Sequence, residues 1–398
     1  MIDINNPLSI GSFLNFGYDI TYTPSIKFDY SQISSNAKKP DYKTTKDIFM
    51  SCLEGCIGDT NDDIVVPISG GLDSRALLAG LLELRSADKI KTYTFGTKSS
   101  YDFEIGKGIS KKLGVTCNSY ELSEYSFDEK SLFDTASMFD YQTTLFYHPP
   151  YDEIKNTFNS DLVLVGFMGD PLAGSHLPEV VSVDNTQLLQ RFLSKNQMVR
   201  SCSLHDLEAS NLNEIVKFPE LILSKITKDE YLDFEVRQLR YVHPHVMPKQ
   251  LNCKSPFIES DWFNHMLSLP TECRREQSYY NEFLINAFPA AFNFPCKNNY
   301  GLKLNTHPTL IKLWRGAHRL NSLRDKTINY QNFNRRICDD KALYKLLDML
   351  LHRLAKRNLN LKLDPVELLR NHKNHNAIFS DAIINLASLE VNLSANNQ

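Results

Sequence analysis

The chain has 398 residues, 42% of them hydrophobic and 23% charged, with a formal net charge of -3. That length exceeds what one compact core usually spans, so two or three packed units are expected. The composition is that of an ordinary globular chain, the small negative charge argues against nucleic-acid binding by the protein as a whole, and no apolar run reaches membrane-spanning length. The opening MIDINNPLSIGSF lacks the basic and apolar regions of a signal peptide, so a cytoplasmic location is expected. The eight cysteines are scattered; Cys52 and Cys56 form one C-x3-C pair with no second pair to complete a zinc site, and reduced thiols are expected.

Residues 64–68, IVVPI, are short, apolar and rich in β-branched side chains, which predicts a buried parallel strand. SGGLDS follows at 69–74, and residues 74–84 carry the Leu, Ala and Glu of a good helix former. Glycines in such a strand-to-helix turn let backbone N–H groups approach an anion, and the helix N-terminus adds a favourable dipole. Ser69 and Ser74 add hydroxyl donors. Asp73 fits beside a phosphate if a magnesium ion lies between them. No Gly-Lys-Ser/Thr follows, so this is not a Walker A loop. The plainer reading is a Gly-rich turn before a capped helix.

Farther along, residues 181–250 read as helices and loops, with LLQRFLSK and LILSKI as amphipathic segments. His243 and His245 lie near prolines as a conceivable metal pair without a third ligand. From Trp314 to Lys362 the chain turns basic through Arg315, Arg319, Arg335, Arg336, Lys345, Arg353, Lys356 and Arg357. Within it KALYKLLDMLLHRLAKR has helical spacing and a positive face. That face is either a solvated side of a packed helix or a docking surface for an anionic partner. The tail NLSANNQ is expected to fray.

SGGLDS resembles the pyrophosphate loop of the ATP pyrophosphatases, which split ATP into AMP and pyrophosphate and adenylate a substrate. Other segments resemble the synthetase domain of asparagine synthetases over roughly residues 45–305. KTYTFG, with Phe95 and Gly96 at its end, resembles the family's adenine-lining strand, and an Asp102-led helix then runs to Leu113-Gly114. SMFDYQTTLFYHPPY resembles the Glu-x-x-Asp segment, with Asp140 and Pro149 in place. LVLVGFMGDPLAGSH resembles the family's second motif, with Gly166, Asp170 and Gly174 matching. CKSPFIESDWFNHMLSLP is similar to the Ala-Arg-x-Pro-Phe-Leu-Asp stretch.

The resemblance implies an α/β fold, a parallel-sheet PP-loop (adenine nucleotide α-hydrolase-like) domain at 46–305 with a large helical C-terminal part at 306–398. Residues 1–45 resemble an interdomain linker. It implies ATP and Mg²⁺ as cofactors. Ile68, Ser69, Gly70, Gly71, Asp73, Ser74, Phe95, Gly96, Val165 and Gly166 would bind ATP and its pyrophosphate, and Asp73 and Asp170 the metal. Lys297, with Lys303 as runner-up, would steady charge on the reacting phosphate and the tetrahedral intermediate. Asp140 would act beside it or serve only as a cap.

The departures point away from aspartate. Residue 2 is Ile rather than a cysteine nucleophile, so nitrogen is expected from ammonia, a separate glutaminase or an amine on the substrate. Family glutamates align with Ser137, Phe167, Pro171 and Asn252, and the family Arg aligns with Lys254. Phe167 suits a larger or less charged acid. The resemblance thus implies an amide-forming, AMP-producing ligase acting on a small-molecule or peptide carboxylate, such as a sugar acid or natural-product precursor. Intramolecular closure as in β-lactam synthetases and lasso-peptide cyclases, a degenerate scaffold subunit, and a tRNA-modifying enzyme stay open as alternatives.

Overall fold

The computed structural model describes residues 2–34, 41–158, 161–179, 184–322 and 331–395. Five parallel strands form one sheet: β1 (Ile64–Pro67), β2 (Ile90–Gly96), β3 (Thr116–Glu121), β4 (Leu162–Leu164) and β5 (Asn252–Lys254). Their order is β3-β2-β1-β4-β5, so the chain first builds outward from β1 on one side and then returns to its other side. β1 and β4 are buried along almost their whole length, as expected for an α/β sheet covered on both faces.

Helices α1 (Pro7–Phe16), α2 (Tyr42–Ile57), α3 (Asp73–Leu84) and α4 (Tyr101–Lys112) follow in chain order. Asp41 caps α2 by accepting the Thr44 N–H at 2.7 Å, and the helix buries Phe49, Leu53 and Cys56 in the core around the sheet. Gly114, at a φ of +73°, ends α4 in the left-handed conformation that favours glycine. The main core joins β1 and β4 to Phe49, Phe257, Trp262 and Phe283; the last of these belongs to α5 (Ser278–Ala287).

A second core draws on both ends of the described chain. Ile10, Phe13 and Leu14 of α1 pack with the C-terminal helices α6 (Lys341–Ala355) and α7 (Ser380–Ala395), while residues 17–34 contain no further helix or strand. α7 is buried through Leu393, and the Asn392 side chain donates to the Thr143 carbonyl at 2.8 Å. The tail is therefore anchored to residue 395. Residues 396–398 lie outside the described residues, as do 323–330 of the basic stretch and the side chain of Arg319. Much of that basic charge is spent internally. Arg357 makes a two-pronged pair with the buried Glu390 at 2.6 and 3.0 Å, and Arg353 pairs with Glu129 at 2.5 Å. Lys345 and Lys356 stay exposed. All eight cysteines are free, and no helix among the described residues is long and apolar enough to cross a membrane.

Candidate active site

The strand order reverses between β1 and β4, and open α/β sheets bind ligands beyond the carboxyl ends of the strands at such a point. The segment after β1 is Ser69–Ser74; the segment after β4 contains Gly166 and Asp170. Both line one cavity of about 710 Å³. Ser69 folds the loop on itself: its N–H donates to Ser74 Oγ at 3.3 Å, and its own Oγ accepts the Gly71 N–H at 3.2 Å. α3 has no side-chain cap at Leu72, so no side chain of its own blocks its first turn. The Ser69, Gly70 and Gly71 N–H groups are already taken by Ser74, Asp102 and Ser69, so what the turn offers an anion is the two serine hydroxyls and the uncapped N-terminus of α3.

Asp73 opens α3 and turns its carboxylate toward the β4 segment. Its Oδ2 accepts the Asp170 N–H at 2.9 Å, and its Oδ1 accepts the Tyr280 hydroxyl at 2.9 Å. A side chain at Gly169 would put its Cβ 2.4 Å from the Asp73 Cγ, so glycine is needed there. Burial, reinforced by the neighbouring Asp170 charge, pushes the Asp73 carboxyl up to about 8. Asp170 is held by Gln277, whose Nε2 donates to Oδ1 at 2.6 Å. A buried Asp73 carboxyl whose ionisation is opposed by the neighbouring Asp170 charge fits a divalent cation, which would relieve that repulsion. Among the described residues no group of three His, Cys, Asp or Glu side chains converges to hold a metal, so a hard cation here would complete its shell with phosphate oxygens and water. His243 and His245 do not form such a site either.

Lys297 lies against the same loop from the far side. Its N–H donates to the Gly70 carbonyl at 2.9 Å, and its Nζ donates to Asp102 Oδ2 at 2.6 Å. The other oxygen of Asp102 accepts the Gly70 N–H at 3.2 Å, so one carboxylate holds both the loop and the lysine. Lys303 is exposed, and among the described residues its contacts here are through its backbone, whose carbonyl accepts from Asn299 Nδ2 at 2.9 Å. Arg75 is fully buried beneath the loop. Its NH1 and NH2 donate to the Phe294 and Pro295 carbonyls at 3.3 and 2.7 Å, just ahead of Lys297. Burial lowers its pKa to about 10.

The opposite wall comes from a π-helical stretch, Leu232–Val242, running into His243–Val246. Pro244 has no N–H for the Arg240 carbonyl, and the Gln142 side chain donates to that carbonyl at 3.2 Å instead. Wide helical turns of this kind are frequent at functional sites. Arg237, Tyr241 and His245 reach the cavity from here, facing Tyr147, His148 and Tyr151. His176 ties the two walls together: Nδ1 lies 2.8 Å from Asp233 Oδ2, and Nε2 lies 3.8 Å from Asp170 Oδ2.

Of the residues singled out in the sequence, Ser69, Gly71, Asp73, Ser74, Phe95, Val165, Gly166 and Asp170 line the cavity together. Gly70 and Lys297 meet just behind the loop. Ile68 is buried in β1's extension, where its N–H donates to the Tyr93 carbonyl at 2.8 Å, and Gly96 pairs with Glu121 in the sheet. Asp140 is not brought to the cavity. The backbone turns through positive φ at Asp140 and Tyr141, and the carboxylate is taken by Tyr22 Oη at 2.7 Å and Lys249 Nζ at 2.6 Å. Ser137 turns back to its own helix, donating to the Asp134 carbonyl at 2.7 Å, and Lys254 donates to the Cys56 carbonyl at 2.9 Å. Sequence reasoning saw Asp102 only as a helix leader and missed Arg75, Tyr280, His176 and Arg237. Arg75 had a local signal, a charge inside an apolar helical run; Tyr280 sits 207 positions from its partner and had none.

No protein-family model matches the chain, and no curated protein sequence matches it. Among solved structures, the U34-tRNA thiolase NcsA from Methanococcus maripaludis, described with its 4Fe–4S cluster, is similar over 63% of this chain and 76% of that one. The identity is 11% and the TM-score 0.26, a likeness too remote to bear on the chemistry of the site.

Proposed function

We propose that the chain is a PP-loop ATP pyrophosphatase, resembling the synthetase domain of asparagine synthetases, that joins a carboxylic acid to ammonia or an amine. One observation carries this reading: the Ser69–Ser74 turn after β1 sets Asp73 against Asp170 after β4, at the switch point of a parallel sheet.

Ser69, Gly71 and Ser74 hold the β- and γ-phosphates of ATP, while Phe95 and Val165 line the adenine end. Asp73 and Asp170 are the residues that would hold magnesium, which supplies positive charge against the departing pyrophosphate. A carboxylate oxygen of the acid forms a bond to the α-phosphorus as the bond to the bridging oxygen breaks, and pyrophosphate leaves. The amine lone pair then attacks the acyl carbon. AMP departs with the electrons of the C–O bond, and the amine proton passes to solvent. Lys297, released from Asp102, steadies first the phosphate oxygens and then the acyl oxygen. A degenerate scaffold is the second reading, favoured by Ser137, Phe167 and Pro171 standing where the family has glutamates.

Acid-dependent exchange of labelled pyrophosphate into ATP separates the two. The ligase reading expects exchange that needs Mg²⁺ and is lost in Asp73→Asn; the scaffold reading expects none with any acid. Glutamine alone is expected to give no glutamate, and glutamate release by the purified chain would overturn the expected nitrogen source.

A further inference from the structure

The wall facing the phosphate loop carries chemistry of its own. Arg237 is the sole Lys or Arg among the described residues lining the cavity. Its nearest carboxylate, Asp233, stands 3.7 Å from NH1, beyond good hydrogen-bond reach. Asp233 is engaged elsewhere, by His176 at 2.8 Å and by Gln238 Nε2 at 3.2 Å. The guanidinium thus keeps its planar fork of donors, the geometry that suits a carboxylate. A relay of side chains connects it to the candidate metal pair: Asp233 meets His176 at 2.8 Å, and His176 Nε2 lies 3.8 Å from Asp170 Oδ2.

Aromatic rings share the cavity with Arg237, and the polar atoms of Tyr151, His148 and His245 are committed, the last through Nε2 at 2.6 Å from Thr143 Oγ1. Tyr151 Oη donates to the His245 carbonyl at 2.8 Å, and His148 Nε2 donates to the Thr144 carbonyl at 2.9 Å. The His148 and His245 rings lie 4.8 Å apart, and Tyr241 lies 4.4 Å from His245. Burial lowers His148 to about 4 and holds His245 well below the usual imidazole range, so both rings are neutral near pH 7. A second carboxylate, as in aspartate, would find no second Lys or Arg among the described residues of this wall. His148 is stacked on Phe139 at 4.1 Å and Tyr241 on Tyr18 at 4.8 Å, so a flat apolar body would extend these stacks from the cavity side.

Resting on the ligase reading above, we propose that this wall is the acid-binding subsite. Arg237 clamps the carboxylate that is to be activated, and Tyr147, Tyr151, Tyr241, His148 and His245 receive an aromatic body. The substrate class is a monocarboxylic aromatic acid. Arg237 is a binding residue that presents one carboxylate oxygen toward the loop while holding the other.

The test uses the full chain and 4-hydroxyphenylacetate as probe, with aspartate and acetate as contrasts. Binding is measured by titration calorimetry in the presence of Mg²⁺ and a non-hydrolysable ATP analogue, and exchange of labelled pyrophosphate into ATP is measured separately. The expected result is saturable binding of the aromatic acid and none of aspartate. Arg237→Gln should weaken that binding by about tenfold or more, and Arg237→Lys by less, with ATP-analogue affinity unchanged in both. The unchanged ATP-analogue affinity shows that the variants are folded. Binding without pyrophosphate exchange would support the subsite while sinking the ligase reading. Tighter binding of aspartate than of the aromatic acid, or an Arg237→Gln variant that binds the aromatic acid as well as the parent, would overturn the inference. Failure of the aromatic acid to bind would overturn it too, even if some other acid supports exchange.

Discussion

The two ends of the cavity are built in opposite ways. The loop end, proposed to hold phosphate, is short-range: Ser69 to Ser74 is one unbroken stretch, and Ser69, Gly71 and Ser74 hydrogen-bond within it. The facing wall is long-range: Tyr147 and His148 come from one loop, Arg237 and Tyr241 from a π-helical stretch about ninety residues later, and His176 from a third segment. The loop end also sets two carboxylates together, Asp73 with its pKa pushed up by burial and by the Asp170 charge, whereas the facing wall carries Arg237 and the buried His148 and His245 rings, which burial keeps neutral. A contiguous loop suits a constant ligand such as a polyphosphate. A wall assembled from separate segments can change its ligand by single substitutions without disturbing the loop.

That contrast predicts a ranking of damage. Asp73→Asn should cause the greatest loss. Asparagine can keep both contacts, accepting from the Asp170 N–H and donating to the Tyr280 hydroxyl, so the fold stays while a metal ligand is lost. Turnover should fall by about 10³-fold or more with an unchanged circular-dichroism spectrum. Lys297→Met comes next, with a loss on the order of 10²-fold in kcat and little change in KM for ATP, because its contact is made chiefly in the transition state. Lys303→Met is the control. If it destroyed turnover while Lys297→Met did not, the loop would have been read in the wrong register.

Arg75→Met probes how the loop is held from below. It leaves the Phe294 and Pro295 carbonyls without their donor, at about 1–3 kcal/mol each, and frees the segment that carries Lys297. kcat should drop about tenfold with ATP affinity kept, and Arg75→Lys should restore part of it. Equal loss of kcat and of ATP binding would mean that Arg75 supports the fold alone.

Asp73 also predicts a pH effect of defined sign. The folded chain without metal keeps a proton on Asp73 up to about 8, whereas an unfolded carboxyl releases it near 3.8. The folded state therefore binds more protons across that window, and its stability falls as pH rises through it. Melting curves should show this slope in the metal-free parent, a flatter one in Asp73→Asn, and a flatter one in the parent with Mg²⁺ and ATP. A parent and an Asp73→Asn variant with parallel profiles would contradict the charge contrast between the two ends. The smallest effect belongs to Asp140→Asn. Its pair with Lys249 is near the surface, so stability should change by about 0–1 kcal/mol and kcat hardly at all.

The same contrast explains what the sequence could reveal. β1, the turn and α3 are legible because apolar run, glycines and helix formers follow one another within about twenty residues, and each level of the pattern agrees with the next. Asp170 is legible only through its motif, because its meeting with Asp73 depends on β4 pairing beside β1. Asp140 misled for the reciprocal reason: a segment match fixes neighbours in sequence, and a positive-φ turn then aims the side chain at Lys249. The packing of α1 was not legible because its buried partners, α6 and α7, lie more than three hundred residues away. The Arg237 wall had no local signal, since a π-helical turn next to a proline looks like an ordinary amphipathic run.

The central claim is that this loop and the Asp73–Asp170 pair cleave ATP between its α- and β-phosphates. The direct measurement is phosphorus NMR of the products formed from ATP by the full chain with Mg²⁺, 4-hydroxyphenylacetate and hydroxylamine as the trapping amine. The account predicts AMP and pyrophosphate in equal amounts, together with the hydroxamate, and none of them from Asp73→Asn. ADP and inorganic phosphate as the products would contradict it.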